Sequence, residues 1–165
     1  MSDPAKREKI DLGAFIGRHS KDIRYPEIKS HAQELRKTHS RVGAIGYCYG
    51  GWACFQLAGE SENLVDAIST AHPSLATKEE IKGIKKPVQI MAPETDPQFT
   101  PEMKQYANET IPTLGVEYDY QYFPGLVHGF AVKGDPNDKA QKKGLERAKN
   151  AAVFWFAQHL HGHNE

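Results

Sequence analysis

A cysteine flanked by glycines is the residue of this sequence best suited to nucleophilic chemistry. Cys48 lies at the centre of Gly46-Tyr47-Cys48-Tyr49-Gly50-Gly51, a pattern typical of a strained turn between a strand and a helix. Such a turn exposes the central side chain at the helix amino terminus, where backbone dipoles favour a thiolate. The backbone N–H of Tyr49 would face a developing oxyanion. On this motif alone, a buried core cysteine in a glycine-rich turn stays an open alternative.

An acid and a histidine further along the chain complete a candidate catalytic set. Asp96 lies in a Glu-Thr-Asp-Pro segment and His128 in a Pro-Gly-Leu-Val-His-Gly-Phe segment, each just after a predicted strand. We expect His128 to accept the proton of Cys48 and Asp96 to orient the imidazole. Glu94 is a competing acid. We favour Asp96 because it precedes Pro97 and lies further from the strand.

Three aromatic side chains are predicted to line a substrate pocket. Tyr47 flanks the nucleophile, His72 begins a His-Pro-Ser segment after the second strand, and Phe130 follows His128. Each of them has a role in the core or in a loop as its alternative. The histidines near the carboxyl terminus lack a cysteine or carboxylate partner at metal-ligand spacing. We therefore predict neither a metal site nor a cofactor.

The elements that must position these residues alternate along the chain. The pattern predicts helices over 26–38, 50–59, 77–84, 101–110 and 137–161, and strands over 41–47, 64–71, 87–92 and 117–123. Residues 1–20 are predicted to be an irregular arm, with Pro26 in the first turn of the first helix. Alternation of this kind indicates an α/β fold, a mostly parallel sheet of about four strands with helices on both faces. The three candidate catalytic residues would then meet at the carboxyl edge of the sheet.

Composition excludes several other classes of function. The 165 residues have zero formal net charge, which gives no long-range attraction to nucleic acid or to an acidic membrane. We find no apolar run of about 18 residues for a membrane span and no apolar core for a secretory signal at the polar amino terminus. Cys48 and Cys54 share one segment, and a helix there would hold them too far apart for a disulfide. Free thiols predict a cytoplasmic location.

The three motifs together resemble the dienelactone hydrolase family of the α/β-hydrolase superfamily. The resemblance runs from about Arg41 to His161 and rests on GYCYGG, ETDP and PGLVHGF. It includes the order nucleophile, acid, histidine. It implies a hydrolase that cleaves an ester or lactone bond of a small molecule through an acyl-cysteine intermediate. It also implies a truncated α/β-hydrolase fold, with residues 1–40 as an amino-terminal arm plus helix and residues 41–165 as the hydrolase domain.

The chain departs from the family upstream of Cys48. Family members have about four more strands and a further helix there, and that region supplies a second oxyanion donor and a glutamate that controls the protonation of the thiol. Val132 stands where enzymes acting on dienelactone place a substrate-binding arginine. The shortening leaves the strand over 41–47 with an open edge, so we predict a homodimer through this edge or coverage of it by residues 1–25. A catalytically weak or inactive protein that binds a ligand or partner is the alternative function.

Overall fold

Four parallel strands form the centre of the protein, which a computed structural model describes over residues 11–161. The strands follow one another across the sheet in chain order, and each neighbouring pair is parallel. They are β1 (Gly43–Tyr47), β2 (Ala67–Ala71), β3 (Val88–Thr95) and β4 (Tyr118–Val127). Within the described residues, β1 pairs only with β2, so one edge of the sheet is β1.

Six helices connect or flank these strands in the described residues. They are α1 (Leu12–Arg18), α2 (Lys21–Thr38), α3 (Gly50–Gly59), α4 (Lys78–Lys82), α5 (Pro101–Thr110) and α6 (Lys139–Leu160). A short 3-10 helix, Ile111–Leu114, follows α5. Among residues 11–161, no helix combines the length and the apolar character that crossing a membrane requires.

Helices cover both faces of the sheet because successive strand side chains point to opposite sides. In β3, Ile90 belongs to a buried cluster that includes Phe55 of α3. The next residue, Met91, belongs to a second buried cluster with Ala148 and Ala152 of α6. Because both faces are covered, every residue of β2 and the first six residues of β3 are buried. The predicted α/β fold with four parallel strands is confirmed, and the predicted spans of α3 and α5 match those observed.

The amino-terminal part of the chain is more helical than the sequence predicts. The expectation of an irregular arm over residues 1–20 is wrong for Leu12–Arg18, which forms α1. Asp11 caps this helix by accepting a hydrogen bond from the backbone N–H of Ala14 at 2.8 Å, an N-cap that the amphipathic pattern does not reveal. The part of this prediction that concerns residues 1–10 lies outside the described residues.

Helix α2 also begins earlier than predicted, at Lys21, which places Pro26 inside the helix rather than in its first turn. A proline there removes one helical hydrogen bond, so contacts with the rest of the protein must stabilise the helix. The Tyr25 hydroxyl donates to Glu60 at the end of α3 at 2.7 Å, and Lys29 forms an ion pair with the same carboxylate at 3.0 Å. Tertiary contacts therefore override the local signal.

Candidate active site

Cys48 lies in a sharp turn between β1 and α3, with a backbone φ of 50°. This left-handed conformation is strained for a residue with a side chain. The turn is tight enough that a Cβ atom on Gly46 would collide with the carbonyl oxygen of Gly50, and one on Gly51 would collide with Pro73. The glycines therefore permit the close approach of strand, helix and neighbouring loop, as the motif predicts.

The structure brings the three predicted catalytic side chains together at the carboxyl edge of the sheet. His128 Nε2 lies 3.0 Å from Cys48 Sγ, and His128 Nδ1 lies 2.9 Å from Asp96 Oδ1. An ionised carboxylate only accepts hydrogen bonds, so Nδ1 carries a proton and donates a hydrogen bond to Asp96. In the neutral ring, Nε2 is then free to accept the proton of the thiol.

Asp96 is held by its own backbone turn as well as by His128. Its side chain is fully buried, and Oδ1 accepts hydrogen bonds from the backbone N–H groups of Gln98 at 2.8 Å and Phe99 at 3.1 Å. Such bonds stabilise the charged carboxylate and fix its direction. The competing acid, Glu94, instead accepts from the backbone N–H of Gly125 at 2.6 Å. Of the two acids, Asp96 is the one in contact with the histidine.

The loop after β2 forms a second wall of the site. His72 is fully buried, and its ring packs edge-on against that of His128, with centroids 4.8 Å apart. Burial, together with the nearby charge of His128, lowers the pKa of His72 to about 4. His72 is therefore neutral at ordinary pH and does not oppose a positive charge on His128. Two residues further on, Ser74 Oγ lies 3.3 Å from Cys48 Sγ, a contact that the sequence does not predict.

The other residues predicted to line a substrate pocket surround this histidine pair. Phe130 is buried, with its ring centroid 5.5 Å from that of His72. The ring centroid of Tyr47 lies 6.2 Å from that of His72. Burial raises the pKa of Tyr47. Their ring contacts are with one another, with His128 and with the core. A role for these three side chains in substrate binding stays a prediction.

Tyr49, the predicted oxyanion donor, is the residue that immediately precedes α3. Its side-chain hydroxyl donates to the backbone carbonyl of His19, in the short connection between α1 and α2. Its ring packs edge-on against Trp52. The amino-terminal helices thus contact the nucleophile turn through a carbonyl oxygen. The use of the Tyr49 backbone N–H as an oxyanion donor stays a prediction.

A cavity of about 480 Å³ opens beside His128, between the end of β4 and the start of α6. Its walls include Leu126, Phe130 and Lys133 as well as the histidine. Volumes of this size are typical of small-molecule sites. Cys48 is not part of its lining, so the cavity lies next to His128 rather than next to the sulfur.

The two cysteines differ in their capacity for chemistry. Cys48 is partly exposed and Cys54 is buried, and both are free thiols. Burial raises the pKa of Cys54 to about 12, which keeps that thiol protonated and unreactive. Cys48 contacts a proton acceptor and precedes a helix amino terminus. It is the one of the two whose surroundings suit nucleophilic attack.

The four-stranded parallel sheet, with a cysteine in a strained strand–helix turn and a histidine and an acid at the same carboxyl edge, is an α/β-hydrolase-type fold. The profile of the Dienelactone hydrolase family matches residues 11–160. Hydrolase tropI of Talaromyces stipitatus is 31% identical over 137 residues, which cover 82% of this chain and 53% of that protein. Dienlactone hydrolase 1 of Gibberella moniliformis is 25% identical over 159 residues, 94% of this chain and 60% of that protein.

Solved structures show the same fold. A dienelactone hydrolase-like promiscuous phosphotriesterase from metagenomic libraries superposes with a TM-score of 0.71 at 21% identity, over 90% of this chain and 67% of that one. The chain belongs to the dienelactone hydrolase family. It spans about half the length of the curated relatives it matches.

Proposed function

We propose that the protein hydrolyses an ester or lactone bond of a small carboxylic ester, with Cys48 as nucleophile, His128 as general base and acid, and Asp96 as the orienting carboxylate. One observation carries this proposal: His128 bridges the sulfur at 3.0 Å and the carboxylate at 2.9 Å through its two ring nitrogens. This is the arrangement that acyl transfer through a covalent intermediate requires.

In the acylation step, His128 Nε2 takes the thiol proton as Cys48 Sγ bonds to the carbonyl carbon of the ester. The carbonyl oxygen becomes an oxyanion, which we expect the backbone N–H of Tyr49, just before α3, to stabilise. When the tetrahedral intermediate collapses, the bond to the leaving oxygen breaks and His128 returns its proton to that oxygen. An alcohol leaves, or the ring of a lactone opens, and the acyl group stays on sulfur as a thioester.

In the deacylation step, the neutral His128 accepts a proton from water, whose oxygen attacks the thioester carbonyl. The carbon–sulfur bond then breaks, the proton returns to sulfur, and the carboxylic acid leaves. Asp96 stabilises the imidazolium in both steps, because its buried carboxylate lies against Nδ1. Neutral His72 packs against the same ring without adding a repulsive charge.

The surroundings of the site support a small substrate. The cavity of about 480 Å³ beside His128 combines apolar walls with the opposite charges of Lys133 and Asp138, which suits a compact molecule with polar groups. Two free thiols support a reducing, cytoplasmic setting.

Turnover of p-nitrophenyl acetate by the purified protein and by a Cys48→Ala variant tests this proposal. We expect the wild-type protein to release p-nitrophenol with a burst of one equivalent, followed by slower turnover, and the variant to show only the background rate. Equal rates in the two proteins would refute the acyl-cysteine mechanism. They would favour the alternative of a ligand-binding protein with a hydrolase fold.

A further inference from the structure

The sulfur of Cys48 has a second polar neighbour besides His128. Ser74 Oγ lies 3.3 Å from Sγ, and within residues 11–161 the hydroxyl forms no other hydrogen bond. Ser74 is 5% exposed, so little solvent competes for the contact. A hydroxyl buried beside a nucleophilic sulfur is well placed to change the balance between thiol and thiolate.

The loop after β2 holds Ser74 firmly in this position. The Ser74 backbone N–H donates to the carbonyl oxygen of Cys48 at 2.9 Å, and Pro73 packs against Gly51 closely enough to exclude a Cβ atom there. The residues on either side of Pro73 and Ser74, His72 and Leu75, have φ values of 42° and 59°. Two strained residues that enclose one contact indicate a conformation that the surrounding structure imposes, as is common at functional sites.

The direction of the hydrogen bond follows from a count of protons. Asp96 accepts a hydrogen bond from the N–H at Nδ1 of His128, which leaves Nε2, 3.0 Å from the sulfur, as the acceptor for the single thiol proton. The thiol therefore has no second proton to give to Ser74. The hydroxyl of Ser74 is the donor, and the sulfur is the acceptor.

We infer that Ser74 is a positioning residue that stabilises the thiolate of Cys48 by donating a hydrogen bond to it. The inference rests on the proposed role of Cys48 as nucleophile and extends it. As the thiol proton moves to His128, negative charge collects on sulfur and the bond from Ser74 becomes charge-assisted and stronger. When sulfur attacks the carbonyl carbon this charge disperses, so the same bond stabilises the free thiolate more than the transition state of attack.

The rate of Cys48 alkylation by iodoacetamide as a function of pH tests the inference. In Ser74→Ala we expect the midpoint of this profile to rise by about one pH unit, because a hydrogen bond to the charged form is lost. Below the midpoint the rate should fall about three- to tenfold, because a tenfold smaller thiolate fraction is partly offset by the higher reactivity of a more basic thiolate. On the alkaline plateau it should equal or exceed the wild-type rate by up to about threefold, since a more basic thiolate is more nucleophilic. Fragment mass spectra assign the label to Cys48 rather than Cys54.

Two further variants separate a specific role from a general loss of structure. Ser69 in β2 is also fully buried, but its hydroxyl donates to Gln89 at 2.7 Å, so we expect Ser69→Ala to keep the wild-type midpoint. Ser74→Thr retains a hydroxyl and should also keep it.

The outcomes of this experiment are distinct. The inference would be overturned if the alkylation rate of Ser74→Ala were lower at every pH with an unchanged midpoint, or if its midpoint moved to lower pH. It would also be overturned if the midpoint of Ser74→Thr shifted as far as that of Ser74→Ala. Alkylation of wild-type Cys48 that is no faster at neutral pH than that of a free cysteine, and that is unchanged by His128→Ala, would overturn the proposed role of Cys48 itself.

Discussion

Replacement of Asp96 by asparagine tests the hydrogen-bond chain from sulfur to carboxylate. Asp96 Oδ1 accepts N–H groups from Gln98, Phe99 and His128 at 2.8, 3.1 and 2.9 Å. The amide oxygen of asparagine can still accept from the two backbone groups, so the turn should survive. What is lost is the negative charge beside the imidazolium that forms during acylation.

The magnitude of the effect follows from the strength of this contact. A hydrogen bond to a charged group is worth about 1.5–3 kcal/mol, or about 10- to 150-fold in rate. If asparagine also stabilises the tautomer with Nε2 protonated, the thiol loses its acceptor, and a loss of about 10⁴-fold is known for the equivalent change in serine enzymes. We expect acylation to slow by about 10-fold if only the hydrogen bond to the charge is lost, and by up to about 10⁴-fold if the tautomer also changes.

Stopped-flow release of p-nitrophenol in the burst phase measures this acylation rate, and circular dichroism verifies that the variant is folded. Glu94→Gln is the matched control, because Glu94 is a neighbouring acid whose carboxylate contacts Gly125 rather than His128. We expect it to leave the acylation rate nearly unchanged. A folded Asp96→Asn protein that loses less than about tenfold would refute the assigned role of the carboxylate.

Three further predictions concern stability and assembly. Since burial lowers the pKa of His72 to about 4, against about 6.5 in the unfolded chain, protons bind preferentially to the unfolded state between these values. The free energy of unfolding measured in urea should therefore fall by up to about 3 kcal/mol as the pH decreases from about 6.5 to about 4. If the free energy of unfolding of His72→Asn falls as steeply with decreasing pH as that of the wild type, this prediction is contradicted. Gly46→Ala should cost more than about 2 kcal/mol in the same assay, because the new methyl group meets the backbone of Gly50, whereas Gly50→Ala meets no atom within 4 Å and should be neutral. Within residues 11–161, β1 pairs only with β2, and Ile45 on it is 44% exposed. We also propose that this edge pairs with a second copy; sedimentation should show a dimer that Ile45→Lys converts to monomer, and a monomeric wild-type protein would exclude this pairing.

Much of the fold can be predicted from hydrophobic pattern and punctuation. The strand that precedes Cys48 and the helix that follows it are bounded by glycines, and α5 begins at Pro101 after a capping threonine, Thr100. These signals are local, so they survive in the folded chain. Helix α2 differs, because its stability comes from contacts of Tyr25 and Lys29 with Glu60, which no local pattern contains.

The site divides in the same way. Cys48, Asp96 and His128 each follow a strand of a parallel sheet, and topology alone then brings them to one edge. The contact between Ser74 and the sulfur depends instead on left-handed backbone at His72, a conformation that is uncommon for any residue other than glycine and that the hydrophobic pattern does not reveal. The tertiary structure imposes this backbone conformation, so the contact between Ser74 and the sulfur cannot be predicted from the sequence.

The central claim is that Cys48 attacks the substrate with the help of His128, and identification of the acylated residue tests it most directly. Wild-type protein, Cys48→Ala and His128→Ala would be mixed with p-nitrophenyl acetate, quenched in acid within the burst phase and analysed by peptide mass spectrometry. We predict that the wild-type protein carries one acetyl group, located on Cys48. This acetyl group should be absent in Cys48→Ala and should form far more slowly in His128→Ala. An acetyl group on another residue, or acetylation of Cys48 at the same rate without His128, would contradict it.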